Sequence, residues 1–277
     1  MDHIKISCAM KNKILELKWY LQSNLENAHL DENAKDWVNG ILGVINSRAY
    51  LQSNVDDLFW FFDNGMGKCQ NVLDFGCGSG YLTLMLSRFI NKVHGHEYQG
   101  KWVGQSYGNS SYHNGFLFIQ SFIKKMLGSP SFGFYKSLPL KFENESFDGI
   151  VLYAVIEHLD KSIENEVLKE IHRVLKPGGF VFIAKLPRKN SYQERICPLL
   201  KINSHERLYT EKDVSEILNR NGFEITKIDK TGMFINHPNG IVNVIFPFFR
   251  IAEFCIDKFL PILKIFSHDF RVVAVKK

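Results

Sequence analysis

Asn71-Val72-Leu73-Asp74-Phe75-Gly76-Cys77-Gly78-Ser79-Gly80-Tyr81-Leu82-Thr83-Leu84-Met85-Leu86-Ser87-Arg88 is the stretch from which the rest of the chain can be read. Val72 to Phe75 is a short, mostly apolar run of the kind a buried parallel strand has. Glycine then falls at 76, 78 and 80, and Leu82, Leu84, Met85 and Phe89 follow at helical spacing. Strand, glycine turn and helix form the opening unit of a nucleotide-binding α/β sheet. Glycine is needed where the chain turns tightly and where backbone must approach a ligand with no Cβ in the way. The free N–H groups of the helix favour an anionic group at the same spot. A dinucleotide fingerprint would be G-x-G-x-x-G, but Tyr81 stands at its third glycine position. An acid, Asp74, lies two residues ahead of the first glycine.

This segment resembles the cofactor motif of class I S-adenosylmethionine-dependent methyltransferases, hydrophobic-hydrophobic-Asp-x-Gly-x-Gly-x-Gly. Later stretches match the same family in order and spacing, from Val72 to about Lys185. They are Leu138-Pro139 with Ser146-Phe147-Asp148, the triplet Glu157-His158-Leu159, and Glu170 to Gly179, which ends Leu175-Lys176-Pro177-Gly178-Gly179. The resemblance implies an α/β fold: a Rossmann-like, seven-stranded, mostly parallel sheet with helices on both faces and an antiparallel last strand. It implies S-adenosyl-L-methionine as cofactor. Its contacts would be Asp74, Gly76, Cys77, Gly78 and Gly80 at the loop, Glu97 and Tyr98 at the end of the second strand, Ser137 and Leu138 after the third, and Tyr153 after the fourth. The Glu97 assignment also has a physical basis, because an acid about 20 residues past the glycine loop can hydrogen-bond ribose hydroxyls. One departure stands out. The acid that holds the adenine amino group in similar proteins, just before Leu138, is absent. Lys136-Ser137 occupies that place, so Ser137 or backbone atoms would substitute.

The fourth strand leads into Tyr153 to His158, and ligands of open α/β sheets bind outside the carboxyl ends of the strands. His158 is therefore the candidate general base, since imidazole titrates near working pH. Its neighbour Glu157 would orient it or face the N-terminal helices. No metal is expected: Ala154 stands where an acid falls in metal-binding quinone methyltransferases, and the His94-x-His96 pair lacks a third ligand at a recognisable spacing.

Bulk properties narrow the partners. Lys+Arg 34 against Asp+Glu 29 gives a mild net charge of +5, with no dense basic run to grip nucleic acid. The Asn/Asp-Pro-Pro-aromatic run of amino-methylating nucleic-acid enzymes is replaced by Tyr153-Ala154-Val155-Ile156. The Pro-Cys of cytosine-C5 enzymes is missing, Cys197-Pro198 being the reverse. Cys8, Cys69, Cys77, Cys197 and Cys255 are scattered with no C-x-x-C, which suits reduced thiols. The N-terminal stretch lacks the apolar core of a signal peptide. Together these point to a cytoplasmic protein.

Residues 1–65 are expected to form an N-terminal helical cap. Residues 66–277 would be the methyltransferase domain, with a cofactor half at 66–187 and a substrate half at 188–277. The glycine-aromatic stretch from Tyr98 to Asn114 is either a substrate loop or a surface connection. His205, Arg207 and Tyr209 are candidates to face substrate. An apolar helical insertion at 241–266 is too interrupted by charge and proline to span a membrane. Core packing, an apolar lid, a dimer contact and an interfacial helix all fit it, with lid or core ranked first. The expected activity is methyl transfer to a small molecule, at an oxygen of a sugar or of a lipid- or quinone-type acceptor, with peripheral membrane contact and a homodimer left open. A catalytically silent S-adenosylmethionine-binding module is the alternative.

Overall fold

The computed structural model describes residues 3–98, 110–127, 132–135, 138–196, 205, 207–234 and 240–277. Ser137 and the greater part of the glycine-aromatic stretch thus lie outside the described residues, as does the side chain of Tyr98. The strands are β1 (Asn71–Phe75), β2 (Lys92–Tyr98), β3 (Phe132–Tyr135), β4 (Phe147–Tyr153), β5 (Leu175–Pro187), β6 (Phe223–Thr231) and β7 (Asp269–Lys276). They form one mixed sheet in the order β3-β2-β1-β4-β5-β7-β6. From β3 to β5 all pairings are parallel. The last strand is antiparallel to both its neighbours, β5 and β6. The chain leaves β1 towards β2 on one side and returns to β4 on the other, so the topological switch point lies between β1 and β4.

The helices are α1 (His3–Asn24), α2 (Glu32–Asn46), α3 (Arg48–Asp63), α4 (Tyr81–Leu86), α5 (Ser110–Leu127), α6 (Lys161–Val174), α7 (Tyr192–Ile196), α8 (Glu211–Arg220) and α9 (Gly240–Phe259). Alternation along the strands sorts them into two layers. Val72, Val151, Phe182 and Val273 face a cluster with Met10, Ile14, Val38, Leu58, Phe61, Met85 and Ile119, that is, with α1 to α5. Leu73, Ile150, Val181 and Val272 face the other cluster, with Val167, Ile171, Val214 and Leu218 of α6 and α8. The N-terminal helices thus share one continuous core with the sheet. Phe61 of α3 lies 5.2 Å from Phe182 of β5, ring to ring.

Residues 3–63 form three helices, and Ser47 both ends α2 and caps α3, its hydroxyl accepting from Tyr50 N. Lys176 to Gly179 lies inside a strand. The α6 helix stops at Val174, and the four residues form an irregularity within β5, whose pairing with β4 jumps from Phe147–Leu175 to Gly149–Phe180. The helix after the glycine loop is only six residues long. At the start of α8, Thr210 and Asp213 form a reciprocal capping box. His94 and His96 both pack their rings on Phe142 as core histidines, and burial pushes His96 down to about 3.

Candidate active site

The glycine loop sits at the carboxyl end of β1. Gly76, Gly78 and Gly80 take φ of +74°, +53° and +83°, a left-handed conformation that a side chain disfavours. Their surroundings differ. A Cβ on Gly76 would fall 2.6 Å from Val155 Cγ2, whereas one on Gly78 would meet only Phe116, at 3.8 Å. Gly76 is needed for packing, and Gly78 borders open space. Glu97, at the end of β2, turns its carboxylate onto this loop and accepts from the Gly78 N–H at 2.5 Å. Gln120 of α5 approaches from the far side, its amide donating to the Gly78 carbonyl at 2.8 Å.

Asp74 takes a different place from the one the motif suggests. It is 1% exposed and accepts from the Thr83 hydroxyl at 2.5 Å. Burial raises its carboxyl to about 7, against the lowering effect of Thr83. The side chain lies beneath the loop and ties β1 to α4, so it holds the loop's shape rather than lining open space. The buried Cys77 thiol is likewise pushed up by burial, then by Asp74 and Glu97. Leu138 is half-buried against the cluster on the α6 side.

At the ends of β4 and β5 the structure gathers a polar cluster that the sequence does not announce. Tyr153 donates to Asn54 Oδ1 at 2.5 Å and to Asp57 Oδ2 at 3.0 Å, both on α3. Lys185 reaches the same Asp57 at 3.0 Å and donates to Ser53 at 2.5 Å. Asn54 also donates to the Tyr81 hydroxyl at 3.0 Å, and Arg271 of β7 stands 3.7 Å from Asp57. Asn54 and Asp57 are fully buried, so each depends on these partners. Ala154, just after β4, and Lys185, inside β5 at its pairing irregularity with β7, have φ of +54° and +58°. Non-glycine residues hold that conformation only where the surroundings enforce it, and such strain concentrates at functional sites.

His158 follows in a short 3-10 turn, Ile156–His158, with its side chain 51% exposed. Glu157 points inward. Its carboxylate is 3.8 Å from the His158 ring, both oxygens are buried without a hydrogen-bond partner, and burial raises it to about 8. It is too far to orient His158 through a hydrogen bond. Arg207 and Tyr209 face this turn as well, as braces. Arg207 donates to Ile156 O at 3.2 Å and to the Leu159 carbonyl, and pairs with Glu164. The Tyr209 hydroxyl donates to Ile156 O at 3.3 Å. His205 bonds instead to Glu194, at 2.7 Å.

A cavity of about 390 Å³ opens between α3, the ends of β6 and β7, and α9. Phe59, Trp60, Phe234, Phe246 and Phe249 supply aromatic walls, and Ser53 and Arg271 connect it to the polar cluster. The α9 helix that closes it turns both apolar and charged side chains to the cavity and leaves a second apolar face outside. Arg250 pairs with Asp56 of α3, while Val244 and Phe248 on the outer face are 75% and 73% exposed. The exposed apolar surface runs on through Ile251, Phe254 and Phe259 into the 3-10 turn Pro261–Phe266. The insertion is therefore not core. Among the described residues, no helix is long and apolar enough to cross a membrane.

The geometry around the loop suits an adenosyl amino acid. Glu97 offers a carboxylate beside the space above Gly78. The buried Ser79 hydroxyl and Gln120 Oε1 have no hydrogen-bond partner, which is the state of groups that await a polar ligand. Gln120, Asn54, Asp57 and Lys185 escaped the sequence reading. Only Lys185, a cation closing an apolar strand, carried a local signal.

Comparison with known proteins supplies a family and a fold. Residues 27–228 match a family described as a methyltransferase domain. A mitochondrial ubiquinone biosynthesis O-methyltransferase of Dictyostelium discoideum is 26% identical over 180 residues, 60% of this chain and 53% of that protein. The chain thus spans about half the length of that relative. A magnesium protoporphyrin IX methyltransferase from Synechocystis PCC 6803, with bound SAH, superposes with a TM-score of 0.53 at 14% identity, over 85% of this chain and 86% of that one. A SAM-dependent methyltransferase from Aquifex aeolicus gives 0.50 at 17% identity, over 80% and 90%.

Proposed function

The chain belongs to the methyltransferase-domain family as a class I S-adenosylmethionine-dependent methyltransferase, and we propose that it methylates an oxygen of a small apolar acceptor, a lipid- or quinone-type ring. When bound, S-adenosylmethionine supplies an electrophilic methyl group on a sulfonium. The protein's share is alignment and exclusion of water. Glu97 holds the ribose hydroxyls, and the loop N–H groups, Ser79 and Gln120 receive the amino-acid end. Gly76, Gly80, Asp74 and Cys77 keep the loop in shape. Tyr98, Ser137 and Leu138 complete the adenine side, and α1 to α3 act as the cap. The Tyr153–Asp57–Lys185 cluster positions the acceptor oxygen. His158, half in solvent at the end of β4, carries its proton away.

The observation that supports this acceptor class is the aromatic wall of the cavity, Phe59, Trp60, Phe234, Phe246 and Phe249, which could stack a ring while the polar groups beside it, Ser53 and Arg271 among them, meet its oxygens. A membrane-borne acceptor would account for the outward apolar face of α9. The scattered thiols favour the cytoplasm, although the Dictyostelium relative is mitochondrial by name. The test is transfer of a labelled methyl from S-adenosylmethionine to a hydroxyphenol with a long alkyl tail, a tailless one, and a monosaccharide. Transfer to the ring hydroxyl, with KM falling as the tail lengthens, is expected. Methylation of the sugar alone would replace the acceptor class. The missing adenine acid favours a second reading, the silent binding module, which predicts calorimetric uptake of S-adenosylmethionine without turnover on any acceptor.

A further inference from the structure

Beyond the cofactor loop, Glu194, His205 and His268 converge where β5 ends and β7 begins. One ligand atom from each lies within 4.8 Å of the other two, and no other set of three is so placed among the described residues. Glu194 Oε1 is 2.7 Å from Nδ1 of His205 and 2.8 Å from Nε2 of His268. The remaining ring nitrogen of His268, Nδ1, is 2.7 Å from Asp269 Oδ1. That second carboxylate fixes the ring so that Nε2 faces Glu194, the outer-shell arrangement that commonly orients a metal-binding histidine. An ion pair would need one imidazole, yet here two meet a single carboxylate oxygen. The ligands come from three separate segments, α7, the stretch before α8, and the start of β7.

We propose that Glu194, His205 and His268 bind a divalent transition-metal ion of the zinc class. Two imidazoles and a carboxylate suit such an ion, whereas magnesium and calcium prefer all-oxygen sets. Bonds of roughly 2.0–2.2 Å to each ligand would separate the donors to about 3.0–3.5 Å, a few tenths of an ångström beyond the two carboxylate–imidazole spacings and inside the 4.8 Å limit that holds for all three atoms. Three protein ligands leave a position for water or another oxygen. The site stands independently of the acceptor proposed above.

The test uses the full chain, stripped with a chelator and titrated with zinc against a chromophoric competitor, with cobalt(II) absorption reporting the ligand field. One zinc per chain is expected, with affinity at least tenfold lower in H205A and in E194Q, a loss of about 1.4 kcal/mol or more. Zinc should raise the melting temperature of the parent and leave that of H205A unmoved. C197S should bind as the parent does. Absence of stoichiometric uptake would overturn the site, and so would parental affinity in H205A or a loss confined to C197S. His205 is half-exposed, so H205A decides the matter if E194Q fails to fold.

Discussion

Single residues around the loop divide into those that shape it and those that meet the ligand. Gly76→Ala places a methyl 2.6 Å from Val155 at φ +74°. It should destabilise the fold by about 2–4 kcal/mol through overpacking and left-handed strain, read as a lower urea midpoint. Glu97→Ala removes a carboxylate that touches the loop from outside. It should fold normally and weaken S-adenosylmethionine at least tenfold by calorimetry, and an unchanged Kd would remove Glu97 from the ribose role. Glu157 yields a pH prediction. Its folded carboxyl titrates near 8, above the ordinary 4.5, because of burial. Between those values the folded chain keeps a proton that the unfolded chain has lost, so stability falls as pH rises through that window. Glu157→Gln should therefore be more stable than the parent at pH 8, by roughly 2 kcal/mol, with the gap closing towards pH 5. Urea melts at the two pH values check this. Glycine spacing and the Glu97 position were legible in the sequence because both obey short, local rules. Asp57 with Lys185, and Gln120 with Gly78, were not, because each pair is brought together by packing between distant segments.

Elements were legible in kind and less so in direction. Composition located the apolar insertion, and helical spacing puts Arg250, Glu253 and Asp257 on one face of it. Spacing could not say which face turns inward, because amphipathicity is blind to the partner. On general grounds the charged face would be solvated. The structure sets it along the cavity, where Asp56 of α3 offers Arg250 a carboxylate. A double change, Phe248→Ser with Phe254→Ser, distinguishes the two orientations. Buried phenylalanines would cost about 3–5 kcal/mol each on truncation. These exposed ones should shift the melting temperature little and lower sedimentation with anionic vesicles. A large loss of stability would place the face against protein instead. A Pro-Gly-Gly turn reads as a stop signal, yet after Lys176–Gly179 the chain re-enters the same strand, since β4 keeps a pairing edge on both sides of the irregularity.

At the scale of the whole molecule, Asp57 ties the α3 side of the structure to the sheet, meeting Tyr153 of β4, Lys185 of β5 and Arg271 of β7. Asp57→Ala would leave Lys185 buried without its counter-charge, at a cost of about 3–5 kcal/mol. Adding Lys185→Met should recover part of that loss, as a double-mutant cycle in urea would show. Saturation with S-adenosylmethionine at a hundredfold over Kd should stabilise the parent by about 2.7 kcal/mol. The strand order has a consequence for biosynthesis. Because β7 lies between β5 and β6, β6 emerges from the ribosome with nowhere to dock and must wait, both edges bare, until the residues from Asp269 onward follow it out. A nascent chain halted before that point would expose the rim of β5 as well, two open templates for cross-chain pairing, so chaperone capture is expected to peak late in translation and end once the final strand inserts.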